Sequence, residues 1–240
     1  MNTHEIILFY KYVRIDNPGQ LMVHQKELQD KLGLKGRTII AEEGINATIE
    51  GTTEAIDAYL EDLFSDPRFA NTHIKRDPSD GNSFPRTSVK VRKEIVALGL
   101  DASCDIDPNV TTGKRLAPEQ LHQWLREGKE LYIVDMRNAY EVLVGHFEGS
   151  ILPNMDNFRQ LPEFTESIRH LQDKTVVTVC TGGIRCEKAS GYLVSQGFTD
   201  VYQLDGGIVS YMRQFPNEDF LGKLYVFDGL SLIHISEPTR

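Results

Sequence analysis

The sequence predicts two domains of mixed α and β structure in series. The first is a sheet with two helices on one face, and the second is an α/β domain doubly wound on a parallel sheet. Three observations predict this. The chain has 240 residues, more than one domain usually holds. Over residues 1–99 strand-like and helix-like stretches follow the order β-α-β-β-α-β, with one more strand after them. From Ala117 onward, short apolar strands alternate with helices.

EIILFYKYV (residues 5–13) is β-rich and bounded by polar residues, so it reads as a strand. Pro18 opens a helix to about Leu32, with Leu21, Leu28 and Leu32 on one face and Gly33 as its stop. RTIIAEE and INATIEG read as two strands around a turn at Gly44. A helix from Thr53 to Phe64 follows from Ala55, Ile56, Tyr59, Leu60 and Leu63 at i, i+3, i+4 spacing. THIKR and SVKVRKEIVAL then read as strands. This order is the ferredoxin-like pattern. Residues 100–118 hold Asp, Asn, Gly, Pro and Thr with little periodicity, and a linker is placed at 100–114.

In the second domain PEQLHQWLREG is a helix, with Pro118 in its first turn and Gly128 at its end. LYIVDM and TVVTVC are short, nearly continuous apolar runs of the kind buried in parallel sheets. CEKASGYLVSQG reads as a helix and VYQLDG as a further strand. In such sheets, sites gather at the carboxyl ends of strands, and Cys180 ends TVVTVC.

Composition narrows the function classes. No apolar run approaches the ~20 residues of a membrane span, and the amino terminus lacks the layout of a secretion signal. Three cysteines, Cys104, Cys180 and Cys186, make a poor disulfide framework, and no CxxC pair suggests a metal site. A reducing cytoplasmic location is expected. The formal net charge of -9 argues against indiscriminate nucleic-acid binding but not against a local basic patch. Arg86, Lys90, Arg92 and Lys93 fall in one acid-free stretch, shortly after Lys75 and Arg76. They form either a nucleic-acid contact or a solvated strand face.

The informative segment is Cys180-Thr181-Gly182-Gly183-Ile184-Arg185-Cys186. Two glycines let the backbone curl so that successive amides can converge on one atom. The following helix, read as starting near Cys186, adds the partial positive charge of its amino end, and Arg185 adds a full charge. All three favour a thiolate over a thiol, and the same cradle suits an anionic persulfide. Cysteine phosphatases use a longer loop between Cys and Arg and carry His before the Cys. Here four residues intervene and Val179 precedes. Cys186 is either a resolving thiol or a small residue packed in the first helical turn. Cys104, in the linker, has no partner in sequence.

Asp135-Met136-Arg137, Glu141, Gly145-His146-Phe147, Gly149-Ser150-Ile151, the CTGGIR loop and Leu204-Asp205-Gly206-Gly207-Ile208 together resemble the rhodanese superfamily over residues 115–215. That resemblance implies a rhodanese-like domain with Asp135, Arg137 and His146 as scaffold. FYKYV, AEEGINATIEGT, VKVRKEIVALG and CTGGIRCEKAS resemble the bacterial YceA/TrhO family of rhodanese-containing tRNA uridine hydroxylases over about residues 5–228. This second resemblance implies oxygen-dependent 5-hydroxylation of the wobble uridine of tRNA. Cys180 would be the active cysteine, molecular oxygen a co-substrate, and the ferredoxin-like (acylphosphatase-like) domain at 1–99 a tRNA-binding element. Residues 216–228 are read as a carboxyl-terminal extension. Residues 229–240 (LSLIHISEPTR with the preceding Gly) depart from the family pattern and are expected to be a foreign or read-through tail.

Three function classes stay open on the residues alone. A tRNA-modifying oxidoreductase is one; tRNA can be read by shape and a few placed cations. A sulfurtransferase working through a Cys180 persulfide is the second, and a binding module without catalysis is the third. The sequence carries no recognisable flavin, haem or iron motif, so oxygen activation and the electron donor are not legible from it. Neither are the set of tRNAs and the oligomeric state.

Overall fold

The computed structural model describes residues 4–100 and 106–225. Cys104 and residues 229–240 lie outside the described residues. The described chain divides into two compact units, the first ending at Ala97 and the second starting at Leu98.

In the first unit the order is β1 (His4–Tyr12), α1 (Pro18–Lys31), β2 (Lys35–Ala41), β3 (Gly44–Thr52), α2 (Thr53–Ser65), β4 (Lys75–Ser79) and β5 (Thr87–Val91). The sheet runs β4-β1-β3-β2-β5. The first four strands pair antiparallel, which is the ferredoxin-like arrangement, and β5 adds parallel to β2. Ile7 lies opposite Ile49 and Phe9 opposite Ala47, so one face of the sheet is continuously apolar. Ile56, Tyr59, Leu60 and Leu63 of α2 complete that core at the spacing read from sequence.

Helix α1 buries a different stripe from the leucines alone. Leu21, Gln25 and Gln29 face inward. Both glutamines are hydrogen-bonded, as burial requires: Tyr59 Oη donates to Gln25 Oε1 at 2.6 Å, and Gln29 Nε2 donates to Thr38 Oγ1 at 3.0 Å. The run SVKVRKEIVAL is not one strand. Pairing stops at Val91, and the Ile95 amide donates to the Glu43 carboxylate at 2.6 Å in place of a strand partner. Ile95 and Leu98 are buried nonetheless.

The second unit holds β6 (Lys114–Leu116), α3 (Pro118–Arg126), β7 (Tyr132–Asp135), α4 (Ala139–Val142), β8 (Gly145–Phe147) and α5 (Leu161–Ser167). After these come β9 (Thr175–Val179), α6 (Ile184–Ser195), β10 (Asp200–Leu204), α7 (Gly207–Gln214) and β11 (Phe220–Gly222). A wholly parallel sheet of order β6-β10-β9-β7 forms its centre. Strands β7 and β9 are buried on both faces, matching the unbroken apolar runs in sequence, whereas edge strand β6 exposes Lys114 and Arg115. Strands β8 and β11 make a small antiparallel pair. Phe147 of β8 packs edge to face on Phe220 of β11 and on Tyr211 of α7. Among the described residues no helix is long and apolar enough to cross a membrane.

Candidate active site

Strand β9 delivers Cys180 to the carboxyl edge of the parallel sheet. The Met136 amide donates to Val179 O at 2.8 Å, so β7 and β9 leave the sheet side by side. The chain then turns through Gly182 and Gly183 into α6, which starts at Ile184, two residues before the start read from sequence. Gly183 is its amino-terminal cap with φ +99°, a left-handed conformation that suits glycine.

The Gly183 amide donates to Cys180 Sγ at 3.2 Å. The Cys186 thiol and the Cys186 amide donate to the same sulfur. Cys180 and Cys186 are both fully buried and free. Burial by itself pushes the Cys180 thiol up. The Cys186 thiol, the charge of Arg185 and the two amides outweigh burial and bring it down to about 6. Cys186 moves the other way: burial and the adjacent Cys180 sulfur hold it well above its ordinary range. The sulfur is thus buried among donors, not in hydrocarbon.

Arg185 is held rather than free. Its Nη1 and Nη2 donate to the two Glu141 carboxylate oxygens at 2.6 and 2.9 Å, and Nη2 also reaches Thr181 Oγ1 at 3.3 Å. Glu141 is fully buried, placed by α4, and its Oε1 also accepts the Asn138 amide at 2.9 Å. This bidentate pair fixes the guanidinium over the loop. It also tempers the charge that Arg185 lends to the sulfur, an effect the loop sequence alone did not suggest.

Two further pieces brace the loop. Asp135 and Arg137, both wholly buried, form an ion pair at 2.7 Å, and Arg137 Nη2 also donates to Gly145 O at 2.7 Å. His146 sits in β8, its Nδ1 3.1 Å from Val142 O. At the start of α7, the Ile208 and Val209 amides donate to Cys180 O and Thr181 O at 2.9 and 3.1 Å. Gly207 lies so close that a Cβ there would stand 2.6 Å from Cys180 O. The Gly-Gly pair after β10 is therefore a seat for the loop.

The basic residues sit elsewhere, in the first unit. Arg86, Lys90 and Arg92 line one groove, with Arg37 of β2, Ser88 and Phe84. Lys93 is exposed and is not one of the lining residues. Lys75 and Arg76 belong to β4, at the opposite edge of the sheet from β5, and Arg76 pairs with Glu5 and Asp57. Sequence reading passed over Arg37, Phe84 and the role of Glu141. Only Glu141 carried a signal, as part of the motif pattern of the second domain.

Residues 4–95 match the UPF0176 acylphosphatase like domain, and residues 117–214 match the Rhodanese-like domain. A tRNA uridine(34) hydroxylase of Bacillus licheniformis is 45% identical over 230 residues, covering 95% of this chain and 70% of that protein. The proteins of the same name from Bacillus velezensis and Staphylococcus haemolyticus are 43% and 44% identical. They align with 94% and 99% of this chain and with 70% and 74% of their own lengths. The chain belongs to the tRNA uridine(34) hydroxylase family. In this member of the tRNA uridine(34) hydroxylase family, the rhodanese-like domain carries the buried thiol pair and the acylphosphatase-like domain carries the basic groove.

Proposed function

We propose that this protein is a tRNA-modifying oxidoreductase that converts the wobble uridine, position 34 of tRNA, to 5-hydroxyuridine, with molecular oxygen as co-substrate and Cys180 as the reactive group. The observation that carries the reading is the 43–45% identity to tRNA uridine(34) hydroxylases, which runs through both domains. The site supports it. Cys180 lies at a strand's carboxyl end, in the place where α/β sheets hold their chemistry, among donors that favour its thiolate. A wobble base in an open loop needs only unstacking to enter a pocket. Thr181, Gly182, Gly183, Ile184 and Arg185 form the loop around the sulfur. Cys186 acts first as a donor to it, and can resolve an oxidised Cys180 as a disulfide. A tRNA substrate fits a cytoplasmic location.

Mass spectrometry of tRNA nucleosides tests this. Cells lacking the gene lose 5-hydroxyuridine at position 34, the intact gene restores it, and Cys180→Ser does not. Full restoration by Cys180→Ser refutes the role of the thiolate.

The amide-lined sulfur favours one other reading, a sulfurtransferase carrying a Cys180 persulfide, because the same donors stabilise that anion. Thiosulfate and cyanide would then give thiocyanate at a strong rate, with tRNA unchanged by loss of the gene.

A further inference from the structure

The open face of the first domain carries a built groove. In β2, Thr38 and Ile40 point to the helices, so Arg37 and Ile39 point away from them. Parallel pairing sets Arg37 beside Ser88 and Ile39 beside Lys90, on that same face. The chain after Val91 continues with Arg92, whose amide donates to Ile40 O at 2.9 Å. The hollow beside these residues measures about 450 Å³, within the ~300–1,000 Å³ of small-molecule sites.

Its charge is unusual for this molecule. Arg37, Arg86, Lys90 and Arg92 line it and are exposed, and among the described residues none of them has a carboxylate partner. Arg14, Arg68 and Arg76 of the same domain are each paired with an acid. In a chain of net charge -9, four unneutralised cations in one hollow mark a seat for an anion.

The segment that carries Phe84 is fixed. Glu50, 1% exposed, accepts hydrogen bonds from Ser79 Oγ, from the Ser83 amide and hydroxyl and from the Phe84 amide at 3.3 Å. Burial raises the Glu50 carboxyl and these donors more than offset it, so it stays ionised and pins the segment that presents Phe84. An aromatic ring on a rigid backbone beside a row of cations is the arrangement that holds single-stranded nucleic acid: the ring stacks a base and the cations track phosphates.

We propose that this groove binds one unpaired nucleotide of RNA, its base stacked on Phe84 and its flanking phosphates on Arg37, Lys90 and Arg92. This rests on the reading of tRNA as substrate and adds a second contact, separate from the chemistry at Cys180.

The test is fluorescence anisotropy with the full chain and a labelled RNA hairpin carrying a single-stranded loop. Phe84→Ala weakens binding about tenfold and Phe84→Trp restores it, since stacking accepts any aromatic face. Arg37→Gln with Lys90→Gln lowers the slope of log affinity against log salt by about 1.4, two phosphates at ~0.7 each. Unchanged thermal midpoints show that the variants are folded. Equal affinity and slope in parent and variants overturns the proposal. So does a neutral Phe84→Ala combined with tight binding of a phosphoserine peptide, which makes the groove a phosphoprotein site. Nucleoside analysis at saturating tRNA separates this failure from that of the enzyme reading. A wrong groove leaves 5-hydroxyuridine forming at parental affinity, whereas a wrong enzyme reading leaves RNA bound and unmodified.

Discussion

Replacing Gly207 by alanine tests the cradle without altering the side chain of Cys180, Arg185 or Cys186. A Cβ built there stands 2.6 Å from Cys180 O and 2.7 Å from both Gly183 N and Thr181 O. All three are backbone atoms, so no side chain can rotate to make room. Two of them are tied to α7 through the Ile208 and Val209 amides, so the loop and the helix must part. Overpacking of this kind costs about 1–3 kcal/mol. The left-handed backbone at φ +68° adds about 1–2 kcal/mol once a side chain is present. The sum is about 2–5 kcal/mol, to be read from the urea midpoint. Gly149→Ala is the matched control: it has φ +70° and nothing within 4 Å of its Cβ, so it should lose only the backbone share. The second readout is the pH dependence of iodoacetamide reaction at Cys180. As the Gly183 amide is displaced, the inflection near pH 6 should climb toward the ~8.5 of free cysteine. If Gly207→Ala behaves like Gly149→Ala in both assays, the Gly-Gly pair does not seat the loop.

The other predictions concern the groups around the sulfur. Cys186→Ala should raise the Cys180 inflection and Cys186→Ser should largely keep it, because the hydroxyl can still donate; alkylation against pH decides, and equal profiles would remove Cys186 as a donor. Glu141→Ala leaves a buried guanidinium without its carboxylate and should cost about 3–5 kcal/mol in chemical denaturation, with a loss under 1 kcal/mol counting against the pair as a brace. Cys180 is lower when folded than the ~8.5 of an unfolded thiol, so over pH 6 to 8.5 the unfolded chain binds more protons and stability rises with pH. That contribution is complete above ~8.5 and is lost as pH falls through about 6. The rise should be absent from the difference between parent and Cys180→Ser if the thiol is not ionised in the folded state.

Periodicity made much of this fold readable. Ile56, Tyr59, Leu60 and Leu63 are buried together as their spacing requires, and the apolar runs ending at Asp135 and Val179 are neighbouring strands of the parallel sheet. What escaped depended on contacts between distant segments. Gln25 and Gln29 look like surface residues until Tyr59 and Thr38 supply their partners. Beyond β5 the Ile95 amide is taken by the Glu43 carboxylate, a partner that nothing local to SVKVRKEIVAL announces. Strands β8 and β11 are three residues each and lie far apart in sequence, too short to show alternation. At the site, the Cys-Gly-Gly-Arg spacing pointed to the sulfur, but Glu141 is 44 residues from Arg185, and its grip on that guanidinium exists only in the folded domain. The basic stretch 86–93 was visible, but its partner Arg37 reaches it across a strand pairing.

The order of strands has a consequence for the newly made chain. Both carbonyls that flank the thiol wait for amides at Ile208 and Val209, and the sheet's edge strand β6 waits for β10. A polypeptide emerging from the ribosome therefore displays residue 180 long before anything can fasten the turn around it. Through that interval the sulfur titrates as any unstructured thiol does and is mostly protonated at neutral pH. Full thiolate character therefore waits for the segment that carries Ile208 and Val209 to close on the turn.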